Sequence, residues 1–162
     1  MEPQTTELLI TLCEVAAAFV GFSLVSSVLD RGDSSRSRLL STRDVAEVSL
    51  FCVFMSLLPL LVDNFAFAHE RNWQVSSAAF VFFWVTGAYR GIQRFRSQGL
   101  QIPASLLFGF GCAAIGNIGL VYNVIAPGVH AAAIYLVALT LLLAFAGLSF
   151  ITATFPDGVS DR

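Results

Sequence analysis

The chain has 162 residues, 56% of them hydrophobic and only 12% charged, with a formal net charge of −2 and a mean hydropathy of +0.76. A soluble domain of this length carries about a quarter charged residues, so composition excludes an ordinary water-facing globule. It also argues against nucleic acid as a partner, because no basic face is available to meet phosphates.

The first apolar run covers about residues 8–29 and holds a carboxylate, Glu14, within it. A carboxylate near the centre of a membrane span costs on the order of 2.5–3.5 kcal/mol on insertion scales. Such residues face protein or a water-filled cavity and mark functional positions. Glu7, Glu14 and Gly21 recur every seven residues and share one helical face, with Ala17 and Ala18 beside them. Small residues let another backbone approach, so this pattern predicts that Glu14 turns towards protein and that Ala17 and Gly21 are helix-packing positions. The preceding MEPQTTE is acidic where a secretory leader has positive charge, so the first run is expected to remain in the protein. The stretch ELLITLCEVAAAFVGFSLV, Glu7 to Val25, resembles the first helix of small multi-pass bacterial membrane proteins with no assigned function. The resemblance is confined to that helix and implies no activity.

A polar segment, Asp30 to Arg43, follows with Arg31, Arg36, Arg38 and Arg43, and reads as a loop. The second span is predicted over about 45–68, opening with Asp44 and Glu47, which suit a helix N-terminus. Pro59 within it removes a backbone hydrogen bond and predicts a kink. Asp63 and Asn64 follow one turn later. The third span, about 73–89, is short and aromatic, with Trp73 and Tyr89 at the ends where interfacial rings belong. A second polar segment carries Arg90, Arg94 and Arg96.

The fourth span, about 103–126, opens with a proline and is rich in glycine. Gly109 falls on one stripe with Ala113 and Asn117, while Gly116, Gly119 and Asn123 form an adjoining one. Gly109, Gly116 and Gly119 are therefore predicted to pack closely against neighbours on several sides. Pro127-Gly128 turns the chain. The fifth span, about 130–154, is apolar all round and is expected to face lipid over much of its surface.

Each run has roughly 17–25 residues, the range that crosses a bilayer core. The chain therefore reads as an all-α integral membrane bundle of five transmembrane helices forming a single domain over 1–162, without a soluble part. Arginines concentrate in the segments after spans one and three, which places those segments on the cytoplasmic side. The N-terminus is then outside and the C-terminus cytoplasmic, in the inner membrane of a bacterium.

This orientation sets Glu14 and Asp63 at similar depth in the outer half, with Asn64, Asn117 and Asn123 in the same layer. Two acids at one depth suit a proton relay. Carboxylates joined by amide oxygens also suit a hard cation, and Glu14 repeated around an oligomer axis would form a cation-selecting ring. The five residues are the candidate ion- or proton-binding set, and the identity of any metal stays open. The bland alternative is an interhelical hydrogen-bond network of purely structural use. His69 and His130 lie at predicted helix ends, where histidines usually cap, so no haem and no other cofactor is expected. Cys13, Cys52 and Cys112 show no ligand or redox spacing and read as small buried hydrophobes. No hydrolase, phosphate-loop or dinucleotide motif occurs, so the chain is not expected to be an enzyme.

The leading functional expectation is conduction or sensing of a small cation or proton by a membrane protein that self-associates. The alternative is a non-catalytic accessory or assembly subunit of a larger membrane complex. The expected partners are the lipid bilayer and either further copies or another membrane protein.

Overall fold

A computed structural model describes residues 1–29, 36–65, 71–97 and 104–154. It is all-helical over these residues, with α1 at Pro3–Leu29, α2 at Arg36–Asp63, α3 at Asn72–Ser97, α4 at Ala104–Ile125 and α5 at Ala131–Thr154. Three of the five contain a segment long and apolar enough to cross a membrane: Pro3–Ser26 in α1, Val45–Asp63 in α2 and Ala131–Ile151 in α5. Within α4, the shorter stretch Ala113–Ile125 is apolar.

The helices begin and end where backbone chemistry allows. The Thr6 amide donates to the Glu2 carbonyl at 3.2 Å, so Glu2 caps α1 and Pro3 takes the first helical position, where its missing N–H costs nothing. The helix thus starts five residues earlier than the apolar run. α2 begins at Arg36, inside the segment expected to be a loop, and α3 continues to Ser97, through Arg90 and Gln93. Arginine and glutamine are good helix formers, so each helix outlasts its apolar stretch. Residues 30–35, 66–70 with His69, 98–103 with Pro103, and 155–162 lie outside the described residues.

α5 is the hub. It packs against each of the other four helices, while α1 lies chiefly on α2, and α3 chiefly on α4. Its Ala131, Tyr135, Ala138, Leu139, Leu142, Leu143 and Ala146 are all buried. This buried stripe is one side of the helix, and Val137, Leu148 and Ile151 are exposed on the rest of it, as expected of a helix that faces lipid over much of its surface. A bilayer and a membrane-protein core are both apolar, so an all-apolar helix suits either. Phe80, Phe51, Trp73 and Tyr135 build an aromatic centre, with Phe51–Phe80, Trp73–Tyr135 and Phe80–Tyr135 ring centroids 5.2, 5.6 and 5.7 Å apart.

The glycines of α4 do what was expected of two of them. A Cβ on Gly116 would lie 3.3 Å from the Ala138 backbone, and one on Gly119 would lie 2.9 Å from Ile134 Cγ2. These absent side chains let α4 and α5 touch through their backbones. Gly109 falls in α4, but its surroundings lie outside the described residues. On α1 the expectation fails within one chain: Ala17 is exposed, and Gly21 has nothing within 4 Å of a Cβ position. The packed seam of α1 is instead Leu9, Ala16 and Ser23, also seven residues apart.

Candidate functional site

Among the described polar residues, one group forms a network inside the bundle, and Glu14 stands outside it. The network begins at Pro59. Without an N–H, this proline leaves the carbonyl four residues earlier, that of Met55, without its helical partner. The Tyr135 hydroxyl donates to that carbonyl at 2.7 Å. A side chain from α5 thus completes the hydrogen bonding of α2 in a place where water could not.

One turn further on, the buried Asn72 amide donates to the Pro59 carbonyl at 2.9 Å and to Asp63 Oδ1 at 3.3 Å. The Ser76 hydroxyl donates to Asn72 Oδ1 at 3.1 Å, and the Met1 amine pairs with Asp63 Oδ2 at 3.3 Å. On the neighbouring side, Asn123 is fully buried. Its amide donates to the Ala131 carbonyl at 2.9 Å and to Ser77 Oγ at 3.4 Å, joining α3 to α4 and α5. Asp63 and Asn123 therefore sit among partners that hold helices together.

The remaining amides are local. Asn64 is exposed and donates to the Leu60 carbonyl at 2.8 Å. Asn117 is buried and donates to the Ala113 carbonyl at 2.8 Å. Its Oδ1 and that of Asn123 are buried without a partner among the described residues. Asn117 borders a crevice shared with Phe80, Trp84, Gly116 and Ala138, a seam too narrow to admit a water molecule.

Glu14 is elsewhere. It is exposed, and it takes part in no hydrogen bond or ion pair with another described residue. At 3.6 residues per turn it stands about 140–180° around the helix from the packed Leu9–Ala16–Ser23 seam. The expectation that Glu14 turns towards protein is thus not met inside one chain. Nor does Glu14 share a level with Asp63. The apolar segment of α1 runs Pro3–Ser26, with Glu14 at its midpoint, about 17 Å along the axis from Pro3. Asp63 is the last residue of α2 and is paired with Met1, so it lies at the outset of α1. Hydropathy sets the two together because the apolar run continues past Asp63, whereas α2 ends at it.

Among the described residues, no group of three or more His, Cys, Asp or Glu side chains is placed to hold a metal ion. Cys52 is buried and Cys13 partly buried, both as free thiols. Sequence reasoning missed Tyr135, Asn72, Ser76 and Ser77. The signal for Tyr135 was present, since a proline inside a span announces an orphan carbonyl that some donor must meet.

These features define an all-helical protein with three membrane-length apolar helices, an interhelical polar network, and an exposed carboxylate at the middle of an apolar segment. Comparison of the chain with protein-family models, with curated proteins and with solved structures gives no match.

Proposed function

We propose that the chain is a five-span protein of the bacterial inner membrane that serves as a non-catalytic accessory subunit, joining a larger membrane complex through the outward face of α1. The observation that carries this reading is Glu14, exposed at the midpoint of an apolar segment. A carboxylate left facing hydrocarbon there costs on the order of 2.5–3.5 kcal/mol, and a protein neighbour removes that cost. Asp63 and Asn123 support the same reading, because their partners lie within the bundle. The arginines of α2's first turns and α3's last turns support a cytoplasmic location for those ends, with the N-terminus outside.

The second reading is passage or sensing of a small cation or proton. It is favoured by the same carboxylate, since ionisable groups at mid-membrane commonly handle charge. In that reading Glu14 from neighbouring copies forms the site, and Asp63, Asn64, Asn117 and Asn123 shape the bundle around it.

One experiment separates the two. Purified wild type and Glu14→Gln are compared for ion and proton flux in liposomes, and for complex size in mild detergent extracts of the native membrane. The accessory reading expects no flux from either protein, a large complex for wild type and a smaller species for Glu14→Gln. Flux that disappears in Glu14→Gln would establish the second reading.

A further inference from the structure

Around Glu14 the exposed face of α1 combines a carboxylate with small residues. α2, α3 and α4 present large side chains on their outward surfaces, such as Phe54, Leu61, Phe82, Phe83, Ile115 and Ile118. Near Glu14, α1 presents Glu7, Thr11, Ala17, Ala18 and Gly21, all exposed, with the exposed Ile10 and Val25 one turn before Glu14 and one turn after Gly21. Large apolar side chains suit lipid. Small ones let a second backbone come close, and Gly21 has open space where a Cβ would stand.

We infer that this face seats a transmembrane helix of a different protein, one that carries a lysine or arginine level with Glu14 and small residues further along. The inference rests on the accessory reading above. Charge complementarity selects the occupant. Glu7 and Glu14 lie one heptad apart on the face, with no counter-charge from the described residues. A second copy supplies none. All copies of a membrane protein share one topology, so α1 against α1 sets Glu14 level with Glu14, like against like. The chain's own arginines in the described helices stand near helix ends: Arg36, Arg38 and Arg43 early in α2, Arg90, Arg94 and Arg96 late in α3. None occupies a position at the middle of its helix. An uncharged helix would leave the carboxylate buried and unpaired, which is costly. A basic helix pairs it while packing close over Gly21.

The test uses the full chain in phosphatidylcholine vesicles, labelled with a fluorescence donor. The probes are synthetic spans of about 24 residues carrying an acceptor dye, a small-residue face, and lysine, leucine or glutamate at the midpoint. Glu14 has no described bond to break, so Glu14→Gln keeps the fold. The lysine peptide is expected to bind wild type about tenfold more tightly than the leucine peptide, with the preference lost in Glu14→Gln. Gly21→Leu weakens binding of both. Equal binding of lysine and leucine peptides, both sensitive to Gly21→Leu, overturns the charge pairing while leaving α1 as a docking face. No binding by any peptide, or Ala17→Cys copies that cross-link to one another and exclude every probe, also overturns the inference. The complex-size measurement judges the accessory reading independently of all these results.

Discussion

At the scale of the residue, Pro59 and Tyr135 act as one unit. The proline removes a donor from α2, and the hydroxyl of Tyr135, eighty residues beyond the Met55 carbonyl it meets, replaces it. Tyr135→Phe deletes only that hydroxyl and leaves a buried carbonyl unmet, so it should lower stability by about 1–3 kcal/mol, read as a drop in the unfolding midpoint in mixed micelles. The same change made on a Pro59→Ala background should cost far less, because the new alanine N–H can reach the Met55 carbonyl itself. A double-mutant cycle then reports a coupling on the order of 1 kcal/mol. Additive losses would mean that the tyrosine stabilises through its ring alone. Glu14→Leu makes the opposite case. It replaces an exposed, unbonded carboxylate with an apolar side chain, so the isolated protein's unfolding midpoint should hold steady or rise. A fall would show that Glu14 has a partner within its own chain.

At the scale of the element, glycines on α4 and α1 look alike in sequence and behave differently. Gly116→Val and Gly119→Val push side chains into Ala138 and Ile134, and each should cost about 1–3 kcal/mol through overpacking. Ala17→Leu meets open surroundings and should leave unfolding unchanged. The helices themselves were legible from their apolar runs, as were the close approach of α4 and the position of the α2 proline. The ends were less so, because hydropathy marks where a helix would leave a bilayer and not where its hydrogen bonds stop. Arg36 and Arg90 are helical for that reason, despite reading as loop and linker. Facing was the least legible. Both sides of α1 and α5 are apolar, so a heptad of small residues on α1 looked like a packing seam when the true seam, Leu9–Ala16–Ser23, ran along the other side. The candidate site inherited that error. Its outer polar layer was read by depth alone, and the structure assigns Asp63 and Asn123 to interhelical bonds while turning Glu14 away.

At the scale of the whole molecule, the bundle is organised from its last described helix inwards. α5 touches every other helix, and its Tyr135 sits at the aromatic centre. A ribosome adds roughly 5–20 residues per second, so α1 to α4 leave it before their common neighbour exists. Until α5 arrives, the Met55 carbonyl lacks its donor, Asn123 lacks the Ala131 carbonyl, and the glycine faces of α4 have nothing to press against. A chain ended after Ala126 should therefore enter the membrane yet stay open to added protease, whereas the full chain resists it. Supplying residues 127–162 as a separate peptide should restore that resistance. If the shortened chain were already resistant, the first four helices would be a finished unit. Otherwise the protein is born with its keystone missing, and the interval before α5 emerges is when quality-control proteases have their best access to it.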